Sequence, residues 1–305
     1  MSATTIRFSV VVPTYDRPRQ LAACLAALAR SDYPRERFEV IAVDDGSPAS
    51  PASVIAPFLS RLDVRVLRQA NAGPGPARNR GAGDARGRFL AFTDDDCMPE
   101  PGWLGALDAA MGCNPDHLVG GLTVNALPGN PFSTASQALI DYLYGYYNIE
   151  PGRARFFASN NFALAADAFR RIGGFTPTPV RAAAEDRDFC DRWTEHGGGA
   201  TYVPDAVVRH AHPLDARGFI RQHANYGRGA VHYYALRAER GAEGVKLEPP
   251  AFYAGLLRHP FGRLPGPRAG AVGALMALSQ LATAAGFAGE SLNFRLGRRC
   301  RAGRL

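Results

Sequence analysis

Cysteine is sparse and carries no pattern. The five cysteines, Cys24, Cys97, Cys113, Cys190 and Cys300, are odd in number and form no Cys-x-x-Cys pair. Neither a zinc site nor a disulfide framework is indicated, and a reducing compartment is the default expectation. No secretory leader is expected either, because Met1 to Arg7 is polar and the apolar run Ser9 to Pro13 is too short for one. A cytoplasmic protein is therefore expected. Lysine is nearly absent, since all but one of the 35 positive residues are arginine. Such arginine and alanine usage is compatible with genome base bias, so the net charge of +7 is not read as nucleic-acid binding. Two nucleotide-binding fingerprints are also lacking. There is no Gly-x-x-x-x-Gly-Lys-Ser/Thr loop and no Gly-x-Gly-x-x-Gly directly after the first apolar run, which weakens P-loop and dinucleotide readings.

What is present is an ordinary globular composition, 46% hydrophobic and 21% charged over 305 residues, enough for one large domain or two fused halves. The most informative stretch is Phe89-Leu90-Ala91-Phe92-Thr93-Asp94-Asp95-Asp96-Cys97. Its short apolar run reads as a buried strand and delivers three carboxylates to the carboxyl end, where open parallel sheets bind ligands. Two unit charges about 4 Å apart repel by roughly 4 kcal/mol at an effective dielectric near 20, so a compact fold keeps the cluster only where something offsets it. A divalent cation is such an offset. Asp94 and Asp96, separated by one residue, can point the same way, and hard oxygen ligands suit magnesium or manganese. A solvated acidic turn is the alternative for the triplet taken alone.

Around it, Arg7 to Pro13 reads as a buried strand closed by a proline. Thr14-Tyr15-Asp16-Arg17-Pro18 reads as a turn, with Asp16 as N-cap of a helix carrying Leu21, Leu25 and Leu28 at helical spacing. Phe38 to Val43 is a second strand ending in Asp44-Asp45-Gly46-Ser47, and Val64 to Leu67 is a third. Asn71 to Gly81 leads from a glycine-rich loop into a helix, and the triplet strand follows. Strands alternating with helices predict an α/β fold with right-handed crossovers, and polar residues after successive strands predict one shared crevice, the geometry of a nucleotide pocket.

Four of these segments are Ser9-Val10-Val11-Val12-Pro13-Thr14-Tyr15-Asp16-Arg17, Val43-Asp44-Asp45-Gly46-Ser47, Asn71-Ala72-Gly73 with Ala77-Arg78-Asn79-Arg80-Gly81, and Phe92-Thr93-Asp94-Asp95-Asp96. In this order they resemble family 2 glycosyltransferases, over roughly residues 6 to 230. The resemblance implies a GT-A (Rossmann-like) fold, a mostly parallel sheet flanked by helices. It also implies a nucleotide-sugar donor, a divalent metal (Mg2+ or Mn2+) on an Asp-x-Asp motif, and inversion at the anomeric carbon. By this likeness Asp94, Asp95 and Asp96 handle metal and donor, and Asp44 and Asp45 the nucleoside. Pro13, Thr14, Tyr15, Asp16, Asn71, Gly73 and Arg78 would wall the donor pocket. The expected catalytic domain is residues 1–230, with a donor half at about 6–120 and an acceptor half at about 121–230, followed by a helical extension over 231–305.

The later segments extend the likeness. Phe157 to Leu164 resembles the family's strand beneath the acceptor, and Phe169 to Phe175 its helix end and glycine turn, where Gly173 and Gly174 also suit a helix C-cap. Ala184-Glu185-Asp186-Arg187-Asp188-Phe189 resembles the family's Glu-Asp motif. By that carry-over Asp186 deprotonates the acceptor hydroxyl, and Glu185 or Asp188 orients it or caps the following helix. Acidic residues also favour a helix's first turn for its dipole alone, which is the alternative. An aspartate of ordinary pKa is ionised at neutral pH, so a base here needs little tuning. His210 and His212 fall on one face of an extended segment, and the resemblance offers either to the metal or phosphate site. Arg228 stands in a stretch that resembles one closing over the donor phosphates, and its planar donors suit them. The Gln-x-x-Arg-Trp motif of processive synthases is absent, which favours a single addition. Tyr142, Tyr144, Tyr146 and Tyr147 either contact the acceptor or fill a core.

Past about residue 235 the likeness fades. Ala271 to Gly289 carries no charge over 19 residues but is only mildly apolar. With Arg258, Arg263 and Arg268 before it and Arg295, Arg298 and Arg299 after it, a packed or interfacial helix is expected rather than a span. The basic end, which also holds Arg301 and Arg304, suits an anionic membrane surface or simple solubility. Peripheral contact with the inner leaflet of the plasma membrane would suit a lipid-linked acceptor. Expected partners are thus a nucleotide-sugar, with UDP the commonest carrier, and a saccharide, lipid-linked or small-molecule hydroxyl acceptor, and no nucleic acid. The sugar, the acceptor and the oligomeric state are set outside the motifs. Two competitors stay open. A nucleotidyltransferase also holds metal on strand-end carboxylates but would want a basic glycine-rich loop where Pro13-Thr14-Tyr15-Asp16 stands. A catalytically silent binding module would use the same crevice without turnover.

Overall fold

Apolar, β-branched Val10, Val11 and Val12 suit a strand covered on both faces, and β1 (Phe8–Thr14) is buried at every residue. The computed structural model describes residues 5–150, 152–177, 184–242, 245 and 248–302, with side chains described as far as Phe294. The basic end from Arg295 to Arg304 therefore lies outside the described side chains. After β1 come α1 (Pro18–Leu28), β2 (Phe38–Asp44), α2 (Ala52–Ile55), β3 (Val64–Arg68), α3 (Pro74–Gly83), β4 (Phe89–Phe92) and β5 (Cys97–Pro99). Then follow α4 (Trp103–Cys113), β6 (Leu118–Asn125), α5 (Pro131–Tyr147), β7 (Phe162–Ala165), α6 (Ala166–Arg171), α7 (Glu185–Glu195) and β8 (Ala200–His210). The chain closes with α8 (Ala216–Glu239), α9 (Pro250–Arg258) and α10 (Gly266–Ala302). Two compact units divide it. One is Met1–Ala126, Tyr146–Pro177 and Asp186–His212; the other is Leu127–Gly145, Thr178–Glu185 and Pro213–Leu305.

The first unit holds a single eight-stranded sheet in the order β3-β2-β1-β4-β7-β6-β8-β5. β3, β2, β1 and β4 run parallel, β7 is antiparallel to both β4 and β6, β6 and β8 are parallel, and β5 is antiparallel to β8. The chain passes from β1 outward to β3 and then returns to β1's other side with β4. That reversal makes a switch point, and a crevice, at the carboxyl ends of β1 and β4. Below it Phe92, Phe162, Phe175 and Phe189 pack with ring centroids 5.1 to 6.1 Å apart. Each fully buried ring contributes about 1.5–3 kcal/mol. The glycine turn is a helix C-cap as read: Gly173 and Gly174 take φ of 83° and 66°, and the Gly174 N–H donates to the Phe169 carbonyl at 3.0 Å.

Three local expectations are corrected. Asp16 does not cap α1. The N-cap is Arg17, without a side-chain cap bond, because Pro18 occupies the first helical position and keeps the residue before it out of the helical region. Asp16 instead adopts φ 51° and its N–H donates to Ser47 Oγ at 2.8 Å. The segment Phe157–Leu164 is not one strand. Only Phe162–Ala165 joins the sheet, because Asn161 turns its amide into a break in the β6–β8 pairing. There Asn161 Nδ2 donates to the Leu122 and Ala206 carbonyls, each at 3.0 Å, and Oδ1 accepts from Trp103 Nε1 at 2.8 Å. Finally, the strand from Ala200 does not end at Pro204. Pro204, Asp205 and Ala206 bulge out of register and β8 resumes to His210, a position that suits a residue without an N–H.

The second unit is helical. Asn130 Oδ1 accepts from the N–H groups of Phe132 and Ser133 at the start of α5, and Asp215 caps α8 through the Gly218 N–H. Phe219, Leu256, Val272 and Met276 form its core with Ala135 and Ala138. α8 and α10 cross at glycines. A Cβ on Gly227 would sit 1.9 Å from the Thr283 carbonyl oxygen, and one on Gly286 2.0 Å from that of Ala224.

Candidate active site

Val11 and Phe92 are level in the β1–β4 pairing, so the aspartates after β4 emerge beside Pro13 and Thr14. Thr14 Oγ1 donates to Asp95 Oδ2 at 2.7 Å and ties the two strand ends together. Arg17 reaches over both, with Nη1 at 3.2 Å from Asp95 Oδ1 and 3.0 Å from Asp96 Oδ2. Burial, reinforced by the Asp96 charge, pushes the Asp95 carboxyl up to about 6, although Arg17 and the Thr14 hydroxyl pull the other way. Arg17 was not among the expected site residues. The signal that points to it is a cation three residues past a strand that ends beside an acidic triplet.

The far end of the sheet brings in the histidines. His210 is the last residue of β8, in register with Cys97 of β5, which sets its ring against Asp96. His210 Nε2 lies 3.3 Å from Asp96 Oδ1 and His212 Nδ1 lies 3.6 Å from Oδ2. Burial opposes the Asp96 charge, but hydrogen bonds from the two histidines and the Arg17 charge outweigh it and hold this carboxyl far below the usual range. The same contact raises His210 against its own burial. Asp96, His210 and His212 each offer a ligand atom, all within 4.8 Å of one another. The set fits a divalent ion. One carboxylate and two imidazoles suit a first-row ion such as Mn2+ better than Mg2+, which prefers oxygen alone. Asp94 is engaged elsewhere: Oδ1 accepts from the buried Arg78 at 2.6 Å, and the carboxylate stays 29% exposed.

Asp44 and Asp45 anchor the neighbouring loops. Asp44, fully buried, accepts from the Ser47 N–H at 2.9 Å and faces Arg68 Nε at 3.4 Å. Asp45 Oδ1 accepts from Gln69 Nε2 and the Ala72 N–H, and its Oδ2 accepts from the Gly73 N–H at 2.8 Å. These bonds hold the loop bearing exposed Asn71 and set Gly73, at φ 96°, as the entry to α3. Pro13 is buried, while Tyr15 and Asp16 are exposed.

Asp186, half-buried, stands in the first turn of α7 with Oδ1 accepting from the Arg187 N–H at 2.8 Å. Asp188 is tied up structurally. It accepts from Thr176 Oγ1 at 2.7 Å and Arg192 Nε at 2.9 Å, and Arg192 also donates to the Ile172 and Gly174 carbonyls. Glu185 and Arg228 belong to the second unit, where Glu185 accepts from the Ala184 N–H and exposed Arg228 donates to Asn225 Oδ1. Of the tyrosines, Tyr142 donates to the Phe252 carbonyl at 2.7 Å and packs against the core of that unit, and Tyr144 is buried. In the first unit Tyr146 and Tyr147 pack edge to face at 5.0 Å, with Arg187 over the Tyr147 ring.

Comparison with known proteins matches this geometry. The sequence model described as glycosyl transferase family 2 covers residues 9–173. Glycosyltransferase AglE of Haloferax volcanii is 24% identical over 77% of this chain and 77% of its own length. The pre-mycofactocin glycosyltransferase of Mycobacterium tuberculosis is 31% identical over 73% of this chain, which spans only 46% of that relative. Among solved structures, a mannosyltransferase from Pyrobaculum calidifontis in complex with GDP-Man and Mn2+ superimposes with a TM-score of 0.61 at 20% identity, covering 96% of this chain and 80% of the other. TarS of Staphylococcus aureus in complex with UDP-GlcNAc gives 0.56 at 16% identity, covering 96% and 92%. These two share the GT-A fold with the sheet described above. With more than half of its residues matched by the family's own sequence model, and with acidic strand ends gathered at the switch point of that fold, the chain belongs to glycosyl transferase family 2.

Proposed function

We propose that this glycosyltransferase moves one sugar from a nucleotide-sugar, a UDP-sugar, to a hydroxyl acceptor with inversion at the anomeric carbon. The observation that carries the reading is the convergence of Asp96, His210 and His212 beside the paired ends of β1 and β4. Those three residues would hold Mn2+, with Asp94 as a further oxygen ligand once it leaves Arg78. A divalent ion bound there supplies positive charge for the departing diphosphate. The chain's own groups do the rest. Thr14 and Arg17 fix Asp95 so that the two strand ends stay joined. Asp45 holds the Gln69–Gly73 loop as one wall of the nucleoside pocket, with Pro13, Tyr15, Asp16 and Asn71 at its margin. Asp186 accepts the acceptor's hydroxyl proton as that oxygen attacks the anomeric carbon opposite the nucleotide, and Glu185 orients the acceptor.

Of the two solved neighbours, one is in complex with UDP-GlcNAc and the other with GDP-Man. The acceptor is a saccharide, a lipid-linked glycan or a small hydroxyl compound. The reaction runs in the cytoplasm with peripheral contact to the inner leaflet, supported by the uncharged apolar run inside Gly266–Phe294 of α10. The base assignment is tested by Asp186→Asn. It should lower kcat by about a thousandfold and leave the donor's Kd within about twofold. Wild-type turnover in that variant would remove Asp186 from the role.

A further inference from the structure

The second unit turns an apolar helix face outward. Along α10 the exposed residues Ala274, Leu278, Leu281, Ala285, Ala288 and Leu292 recur every three or four positions, one stripe of a helix. Leu281 and Leu292 are 69% and 60% exposed. No charged residue occurs from Ala269 to Gly289, and Glu290 is turned to His232 at 3.0 Å. An exposed helical face of this length ordinarily carries charge. The stripe runs on to α9 and the turn after it. Phe261, 63% exposed, lies against Gly273, and Leu257 and Tyr253 are exposed one and two turns earlier.

Within residues 249–289 the charge has one sign, with Asp141 of α5 the acidic neighbour of Arg263 and His259. From Pro249 to Gly289 there is no Asp or Glu, whereas Arg258, Arg263 and Arg268 are all exposed. Arg268 also donates to the Pro128 carbonyl. We infer that this surface docks in the plane of an anionic lipid bilayer. Phe261, Leu257, Leu278 and Leu281 enter the boundary between headgroups and acyl chains, and Arg258 and Arg263 meet headgroup phosphates. Spanning is opposed by α8, which packs beside α10 from Met276 to Phe294 and carries exposed Arg217, Arg221 and Arg228. Insertion of the pair would take those charges into hydrocarbon. A second copy of the chain fits less well. A two-fold contact through the stripe would bring the three arginines of each copy together with no acidic residue of 249–289 to pair them. The inference rests on the peripheral-contact reading above and gives it a surface; it is independent of the transfer chemistry.

The test is sedimentation of the full chain with vesicles of phosphatidylcholine alone and with added phosphatidylglycerol. Wild type should bind the anionic vesicles and lose binding as salt rises. Phe261→Asp and Leu281→Asp should each lower the bound fraction about tenfold with an unchanged melting temperature. Leu281→Trp guards against misfolding of the acidic variants, and its added emission should shift to the blue on anionic vesicles. If wild type binds no vesicle, both the surface and the peripheral-contact reading fall. If all variants bind as wild type does and the added tryptophan stays in water, contact lies elsewhere and only the surface falls. Retention in the membrane after alkaline carbonate would show a span, and a dimer abolished by the acidic variants would show a second copy; either overturns the inference.

Discussion

Three consecutive aspartates leave β4 and meet three different surroundings. Asp94 meets Arg78, Asp95 meets Thr14 and Arg17, and Asp96 meets two histidines. The triplet, and that some group must offset its charge, were legible from adjacent residues alone. The separation of roles was not, because each partner arrives from a different element. Asp95 gives a pH-dependent prediction. Its folded value, about 6, lies above the ordinary 3.8, chiefly through burial. Its neutral form is therefore favoured in the fold, so its contribution to stability is full below about 4 and is lost as pH rises through about 6. Asp95→Asn should accordingly be more stable than wild type at pH 8 in chelator, by ~1–3 kcal/mol, with the difference vanishing near pH 4. Thermal melts at the two pH values check it, and an equal difference at both would contradict it.

At the scale of elements, the strands that alternate with helices along the first part of the chain announced themselves as short apolar runs, and β1, β2, β3 and β4 lie close to where those runs put them. The second half of the sheet was less legible because its irregularities are made by single polar residues acting across strands. Asn161 is fully buried and bonds two carbonyls and an indole N–H, which is why a segment expected as one strand breaks there. Asn161→Ala would leave these groups unpaired and should cost about 3 kcal/mol or more in denaturant unfolding. A cost under 1 kcal/mol would mean that water replaces the amide. The α8–α10 crossing depends on backbone contact at Gly227 and Gly286, which no periodicity reveals. Gly227→Ala should destabilise the chain by about 1–3 kcal/mol, since the methyl meets a carbonyl rather than a side chain that can move. An unchanged melting temperature would show that the helices separate freely.

Taken as a whole molecule, the chain joins a sheet-bearing unit to a helical unit, and the family model reaches into both, since Leu127–Gly145 of the second lies within residues 9–173. The family model ends at residue 173, yet His210 and His212, which complete the three-ligand group, lie beyond it on the last strand and just after it. Both were nominated from spacing and likeness, but their common partner Asp96 became visible only through the β5–β8 pairing. The proposed role of this group is to hold the ion on which donor cleavage depends. The most direct measurement is Mn2+ titration of wild type, Asp96→Ala and His212→Ala, with hydrolysis of a panel of UDP-, GDP- and dTDP-sugars beside it. Wild type should cleave one donor only when Mn2+ is present, and both variants should lose Mn2+ affinity at least about a hundredfold and cleavage with it. Undiminished Mn2+ affinity in the variants, or cleavage that persists in chelator, would contradict the account.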